Sequence, residues 1–288
     1  EEPSGVTIDE IKGVYLDVNE MKEPNPVHLA QAMCYAWFYV SEHNLPEAAV
    51  QMTYCSLETE EIRRFKTVKT AQELEGWFQG LLHEYMKWAR YLYHNAVRRD
   101  ESLRELQFPF AYRNGQRDLA VSVYRTVSRG RKLFIQAPTG IGKTLSAMFP
   151  SLKAIGEGYG DKLFYLTAKT ITRSVAEETL EILRNRGLYF RSVTITAKEK
   201  LCFLEKPECN PDACPHAKGH FDRVNDAVYT AVHQEFGITR ETILSYAEQF
   251  QVCPFELCLD ISSFVDGIIC DYNYVFDPDV RLKRYFSE

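Results

Sequence analysis

No apolar run in the chain comes near the ~20 residues that a helix needs to span a bilayer, and no leader of charged, apolar and small residues opens it. A cytoplasmic protein is therefore the expectation. Charge of one sign is scarce as well: 34 Lys and Arg against 40 Asp and Glu leave a net charge of −6. That balance excludes a globally basic surface and confines any nucleic-acid contact to a local patch. An initial Met is lacking, and Glu1-Glu2-Pro3-Ser4-Gly5 reads as a turn between two strands, so the sequence is expected to be a piece of a longer one. What is present, 45% hydrophobic and 26% charged residues over 288 positions, suffices for two compact units or one unit with an insertion.

The most informative stretch is Lys132 to Thr144, KLFIQAPTGIGKT. The apolar run Leu133-Phe134-Ile135 predicts a strand, and it feeds a loop, Ala137-Pro138-Thr139-Gly140-Ile141-Gly142, that ends in Lys143-Thr144 where a helical pattern begins. Strand, Gly-rich loop and helix start in this order make a phosphate cradle. Backbone N–H groups curl around an anion, the glycines let the chain approach it, and the helix N-terminus adds positive potential. Lys143 is expected to reach the β- and γ-phosphates of ATP and Thr144 to ligate Mg²⁺. The pattern G-x-x-x-x-G-K-[ST] is met except at its first position, where Ala137 replaces Gly.

Ahead of the loop, Phe108-Pro109-Phe110 leads to Arg113 and Gln116, a turn placed to grip an adenine edge because Gln donates and accepts at once. After it, helix and strand alternate: helix to about Ala154, strand Lys162 to Leu166, helix Ile171 to Leu183, strand Phe190 to Thr196. Alternation predicts a parallel sheet with ligands at the strand C-termini. Thr167, Lys169 and Thr170 occupy such an end and suit a nucleic-acid phosphate run. Of eight cysteines, Cys202, Cys209 and Cys214 cluster, Cys253 and Cys258 follow, and Cys34, Cys55 and Cys270 stand apart in apolar runs. Four thiolates can hold zinc or a [4Fe–4S] cluster, with His216 and His220 as further zinc donors. Intervals of six and four residues are looser than a C-x-x-C knuckle and favour iron–sulfur.

The first hundred residues read as strand, helix, two strands and a long helix. Val6, Ile8, Glu10 and Lys12 share one strand face, and Gln31 and Tyr35 share a helix face. The Thr70-Ala71-Gln72-Glu73 capping box opens the long helix, with Leu74, Trp77, Phe78, Leu81, Leu82, Tyr85, Trp88 and Leu92 as its expected buried stripe. E-x-K on the first strand with Q-x-x-x-Y on the helix resembles the second half of a RecB-like PD-(D/E)XK nuclease core. The resemblance implies that Glu10 holds Mg²⁺ and Lys12 orients the attacking water. The family's metal-binding Asp belongs on a preceding strand, and Asp9 points to the opposite face.

Taken together, F-P-F, R-x-x-Q, A-P-T-G-x-G-K-T, L-T-A-K-T, four spaced cysteines ending in C-P-F, and Asp271-Tyr272-Asn273-Tyr274-Val275-Phe276-Asp277-Pro278 resemble the XPD/DinG helicases of superfamily 2 over roughly residues 106–288. The resemblance implies an α/β fold: a RecA-like P-loop lobe carrying a helical iron–sulfur insertion, preceded by a partial nuclease-like domain. It implies a [4Fe–4S] cluster on Cys202, Cys209, Cys214 and Cys253, with Cys258 the rival for the last place. It further implies 5′-to-3′ movement on single-stranded or forked DNA, with no membrane partner. The expected division is 1–99 nuclease-like, 100–199 first motor lobe, 200–257 iron–sulfur insertion and 258–288 return into the lobe. Gly267 to Asp271 looks like a strand ending in a metal-holding Asp, but the family needs D-E-x-H and Tyr272 stands at the Glu position. The 288 residues alone are thus expected to bind ATP weakly and to hydrolyse essentially none. The rival reading is a zinc-stabilised P-loop switch or kinase-like protein that does not translocate.

Overall fold

The strand β1 (Thr7–Val14) runs parallel to β2 (Glu47–Ser56), and β2 pairs antiparallel with β3 (Ile62–Thr70), so β2 is the centre of a three-stranded sheet. Between β1 and β2 lies α1 (Pro26–His43), which starts where the Asn25 side chain accepts from the backbone N–H groups of Val27 and His28. A capping carboxamide with Pro at the first helical position is a strong start signal. Ala32, Ala36 and Val40, one residue per turn, bury α1 against Val50, Met52 and Tyr54 of β2. Small side chains on that stripe let the helix sit close to the sheet. In this computed structural model the described residues are 5–138, 140–168 and 170–286, without the side chains of Thr170 and Ile171. They divide into two compact units, Glu1–Tyr91 and Leu92–Glu288.

The capping box forms as predicted: the Glu73 carboxylate accepts from Thr70 N–H at 2.8 Å, and Glu73 N–H donates to Thr70 Oγ1 at 3.2 Å. It opens α2 (Ala71–Glu105). The stripe expected to be buried along α2 is not. Leu74 is buried and Trp77, Phe78 and Trp88 are half-buried, but Leu81, Leu82, Tyr85 and Leu92 are exposed. The helix is about 52 Å long at ~1.5 Å per residue, and it outruns the sheet of strands no longer than 10 residues that buries its start. Trp37 of α1 stacks on Phe78 at 3.7 Å between ring centroids.

The last turns of α2 belong to the second unit, because Leu103 packs in its core and Asn95 and Arg99 bind Asp266. The unit continues through α3 (Gln116–Ser128), α4 (Lys143–Gly156), β4 (Leu163–Thr167), α5 (Thr170–Arg184), β5 (Ser192–Thr194), α6 (Lys198–Leu201), α7 (His220–Gln234) and β6 (Gly237–Ile238). It ends with α8 (Arg240–Phe250), α9 (Pro254–Ser262), β7 (Gly267–Asp271), α10 (Asn273–Phe276) and α11 (Lys283–Phe286). The sheet order is β4-β7-β5-β6, parallel throughout, as the alternation of elements predicted. Met148, Leu152 and Ile155 of α4 and Leu180 and Leu183 of α5 form its core with Phe190 and Ile269. Gly267 lies where Phe190 crosses β7: a Cβ there would stand 2.6 Å from the ring. Helices α7, α8 and α9, which follow β5 and precede β7 along the chain, pack on one another.

One expected strand is absent. Residues 131–138 have no regular structure, and Phe134 is 94% exposed. A three-residue apolar run becomes a strand only beside a partner that takes its N–H and C=O groups. Among the described residues β4 pairs with β7 alone, and no strand lies beside Leu133–Ile135.

Candidate functional site

Gly140 and Gly142 both take φ of +82°, a left-handed conformation that lets the loop turn sharply into α4. Gly142 is the N-cap of α4 and brings no capping side chain of its own, so among the described residues the first N–H groups of the helix are left to the loop. Lys143 and Thr144 are the first two helical residues. The Lys143 ammonium donates to the carbonyls of Ala137 at 3.2 Å and Pro138 at 3.1 Å, which draws the loop around it. Thr144 Oγ1 lies 3.4 Å from the Tyr165 hydroxyl on β4. Thr139 lies outside the described residues.

Arg113 and Gln116 act on the loop itself. The Arg113 guanidinium donates to the Gly140 carbonyl, and Gln116 Oε1 accepts from Arg113 N–H at 3.0 Å. Gln116 is 4% exposed, and its amide nitrogen stands 2.7 Å from where a Cβ on Gly142 would lie. A methyl at Gly142 therefore meets both a forbidden φ and an occupied volume. Gly142→Ala is expected to lower nucleotide affinity at least tenfold, the left-handed conformation alone costing about 1–2 kcal/mol. Adding Gln116→Ala should restore part of it by removing the collision. Titration with a fluorescent ATP analogue checks both, and a G142A chain that binds like wild type would show that the loop does not need this shape.

The cysteines surround one cavity. Cys202, Cys209, Cys214 and Cys253 all line a space of about 270 Å³, together with Lys198, Phe203, His216 and His220. Cys214 is buried, Cys202 and Cys253 are half-buried and Cys209 is exposed. Cys253 is the N-cap of α9 without a side-chain hydrogen bond to the helix start, and burial pushes its thiol up. Lys198 hydrogen-bonds Cys209, and this bond is the main reason its ammonium is held above its ordinary value. Cys258 does not line the cavity. It is buried, its thiol is pushed up to about 12 by that burial, and it donates to the Thr194 carbonyl. His220 is 4% exposed; its Nδ1 accepts from Cys253 N–H at 3.2 Å, and its Nε2 has no partner among the described residues. Among the described residues no three His, Cys, Asp or Glu side chains converge closely enough to hold a single metal ion.

In the first unit the structure joins all four sequence-predicted residues. Glu10 pairs with Lys12 at 2.8 Å, Lys12 donates to Gln31 Oε1 at 3.0 Å, and Gln31 donates to the Tyr35 hydroxyl at 3.2 Å. Asp9 faces the other way, where Gln51 and Thr53 donate to it. At the strand end, Thr167 is buried and its hydroxyl has no partner among the described residues. Lys169 lies outside the described residues, as does the side chain of Thr170. Asp271 ends β7, accepts from Asn273 N–H at 3.1 Å and lies 4.0 Å from Arg173. Sequence reading missed Tyr165, Lys198 and the Cys253–His220 link. None carries a local signal, because each partner lies tens of residues away or in another element.

No helix among the described residues is long and apolar enough to cross a membrane. No curated protein matches the chain. A model of the DEAD/DEAH box helicase family matches residues 117–206, which contain the phosphate loop, and a DEAD_2 model matches residues 173–286, which contain all four cavity cysteines. With a parallel four-stranded sheet that fits a RecA-like helicase lobe, these two matches support a superfamily 2 helicase, a protein with an ATP-dependent function that binds nucleic acid.

Proposed function

We propose that the chain contributes the first RecA-like lobe of an XPD/DinG-type DNA helicase that moves 5′ to 3′ on single-stranded or forked DNA. The observation that carries this reading is the phosphate loop, held from behind by Arg113 and Gln116 and opening onto the uncapped start of α4. ATP with Mg²⁺ would supply the phosphoryl group whose hydrolysis drives movement. In binding it, the N–H groups of Gly140 to Thr144 orient the phosphates, Lys143 neutralises charge on the outer two, and Thr144 Oγ1 offers a hard oxygen ligand for the cation. The 288 residues contain no D-E-x-H tetrad, so binding without turnover is the expected behaviour of this chain alone. DNA-stimulated hydrolysis that disappears in Lys143→Ala would contradict that.

The four cavity cysteines are the proposed [4Fe–4S] ligands, within an insertion over residues 200–257. A set of four thiols is the donor chemistry such clusters take, and Cys258 is occupied elsewhere. Zinc on three cysteines and a histidine is the competing use of the cavity. His220 suits it poorly: with Nδ1 accepting from Cys253 N–H, the neutral ring carries its proton on Nε2, so neither ring nitrogen keeps a free lone pair for a metal. Anaerobic purification should yield iron and acid-labile sulfide in equal amounts. Cys253→Ala should lose both, and Cys258→Ala should keep them. Zinc without iron would transfer support to the P-loop switch. The Glu10-Lys12-Gln31-Tyr35 chain of contacts supports a nuclease-like module over residues 1–99. The placement of Asp9 on the opposite face limits that reading to the fold.

A further inference from the structure

Tyr165 is the third residue of β4, and successive side chains of a strand point to opposite faces. Phe164 turns to the rings of Tyr285 and Phe286, at 5.3 and 5.0 Å between centroids. Tyr165 turns the other way, pairs in register with Ile269 of β7 and packs against the core that Ile269 shares with Met148 of α4. Thr144 stands four residues before Met148, on the same face of α4. Sheet and helix thus bring two half-buried side chains together at the edge of that core, with the Tyr165 hydroxyl 3.4 Å from Thr144 Oγ1.

A threonine hydroxyl has one proton and two lone pairs. To serve a cation it has to offer a lone pair and aim its proton elsewhere. In a helix the usual place is the carbonyl four residues back, and Ser146 uses it: its Oγ donates to the Gly142 carbonyl at 2.9 Å. For Thr144 the corresponding carbonyl is that of Gly140, to which the Arg113 guanidinium donates. Among the described residues, the hydrogen-bond partner of Thr144 Oγ1 is the Tyr165 hydroxyl. Its 3.4 Å is longer than the ~2.7–2.8 Å of a settled O–H···O bond. Bonds among the groups of an active site tighten when the ligand complex forms.

We propose that Tyr165 is a positioning residue for the cation of the nucleotide site: its hydroxyl accepts the Thr144 proton and so keeps a Thr144 lone pair turned toward Mg²⁺. The assignment rests on the ATP reading above. It adds a tyrosine of β4, outside the phosphate-loop sequence, to the residues that decide how strongly metal and nucleotide bind together.

The test is isothermal titration of the full chain with ATP, once with Mg²⁺ and once with EDTA. The ratio of the two affinities measures how far the cation helps. Tyr165→Phe removes one oxygen and keeps the ring against the core. It should lower the ratio about two- to tenfold, the range for one net hydrogen bond, and leave the EDTA affinity within about twofold of wild type. Thr144→Ala should lower the ratio at least as far. Adding Tyr165→Phe to Thr144→Ala should then change nothing more, because the tyrosine acts through the threonine. A tyrosine that only packs would weaken both affinities alike, or lower the ratio further in the Thr144→Ala background. Either result, or an unchanged ratio in Tyr165→Phe, removes the assignment while the ATP reading stands. A wild-type affinity that is the same in both solutions removes the Thr144 contact with the cation and the assignment with it. Wild type that binds no ATP in either solution removes the assignment and the ATP reading together.

Discussion

Lys143→Ala is expected to weaken binding of ATP with Mg²⁺ by about ten- to a hundredfold, while AMP binds as before. The ammonium sits at the first residue of α4 and holds the Ala137 and Pro138 carbonyls at 3.2 and 3.1 Å, so it stands inside the curve of the loop where outer phosphates belong. A charge-assisted hydrogen bond is worth about 1.5–3 kcal/mol, and each 1.4 kcal/mol is about tenfold in affinity. Because AMP has only the α-phosphate, which the lysine does not reach, the difference between the two nucleotides is the diagnostic. Lys143→Arg should fall between, since a planar guanidinium cannot occupy the space of a compact ammonium between two carbonyls. Isothermal titration of both nucleotides against the three chains makes the comparison. Equal loss for ATP and AMP would mean that the loop had lost its shape rather than its charge, and no loss for either would remove the phosphate reading.

Asp266→Ala should destabilise the second unit by about 3–5 kcal/mol, the range for removing one member of a buried ion pair. Asp266 is 3% exposed and accepts from Arg191 N–H at 2.8 Å, Asn95 at 2.9 Å and Arg99 at 3.4 Å. Arg191 returns to Asn95 Oδ1 at 2.7 Å, and its guanidinium lies over the rings of Tyr189 and Phe236 at 4.8 and 4.6 Å. Truncation leaves these donors without their acceptor in a place water does not reach. Asp266→Asn should be milder, about 1–3 kcal/mol, because one oxygen remains but the new amide turns a donor toward a donor. Urea unfolding followed by far-UV circular dichroism measures the loss. Tryptophan emission should move less, because Trp37, Trp77 and Trp88 all fall within residues 1–91. A D266A midpoint within error of wild type would show that the network is dispensable.

Local pattern carried much of the architecture. The capping box at Thr70, the hairpin of β2 and β3, the parallel alternation after the phosphate loop and the helix beginning at Lys143 are all set by residues within a few positions of one another. Periodicity, however, records which face of an element is apolar and not what covers it. Hence the stripe of α2 was legible while its exposure beyond the first turns was not, and Leu133 to Ile135 read as a strand although among the described residues no partner strand lies beside it. Arg99 stands at the expected division between residues 99 and 100, and no local pattern shows its partner. It is drawn into the second unit by Asp266, a residue more than a hundred and fifty positions away.

By itself the sequence determined the phosphate loop, the set of cysteines and the E-x-K and Q-x-x-x-Y residues, since each is a matter of residue type at short spacing. Tertiary structure alone decided how they are used. It turned Arg113 and Gln116 onto the loop backbone, put Cys253 at the cavity while burying Cys258 against Thr194, and joined Lys12 to Gln31. It also brought the Tyr165 hydroxyl within reach of Thr144. Such contacts depend on which distant segments the sheet order brings together, and that order follows from burying all the apolar faces at once, which no single window of sequence contains.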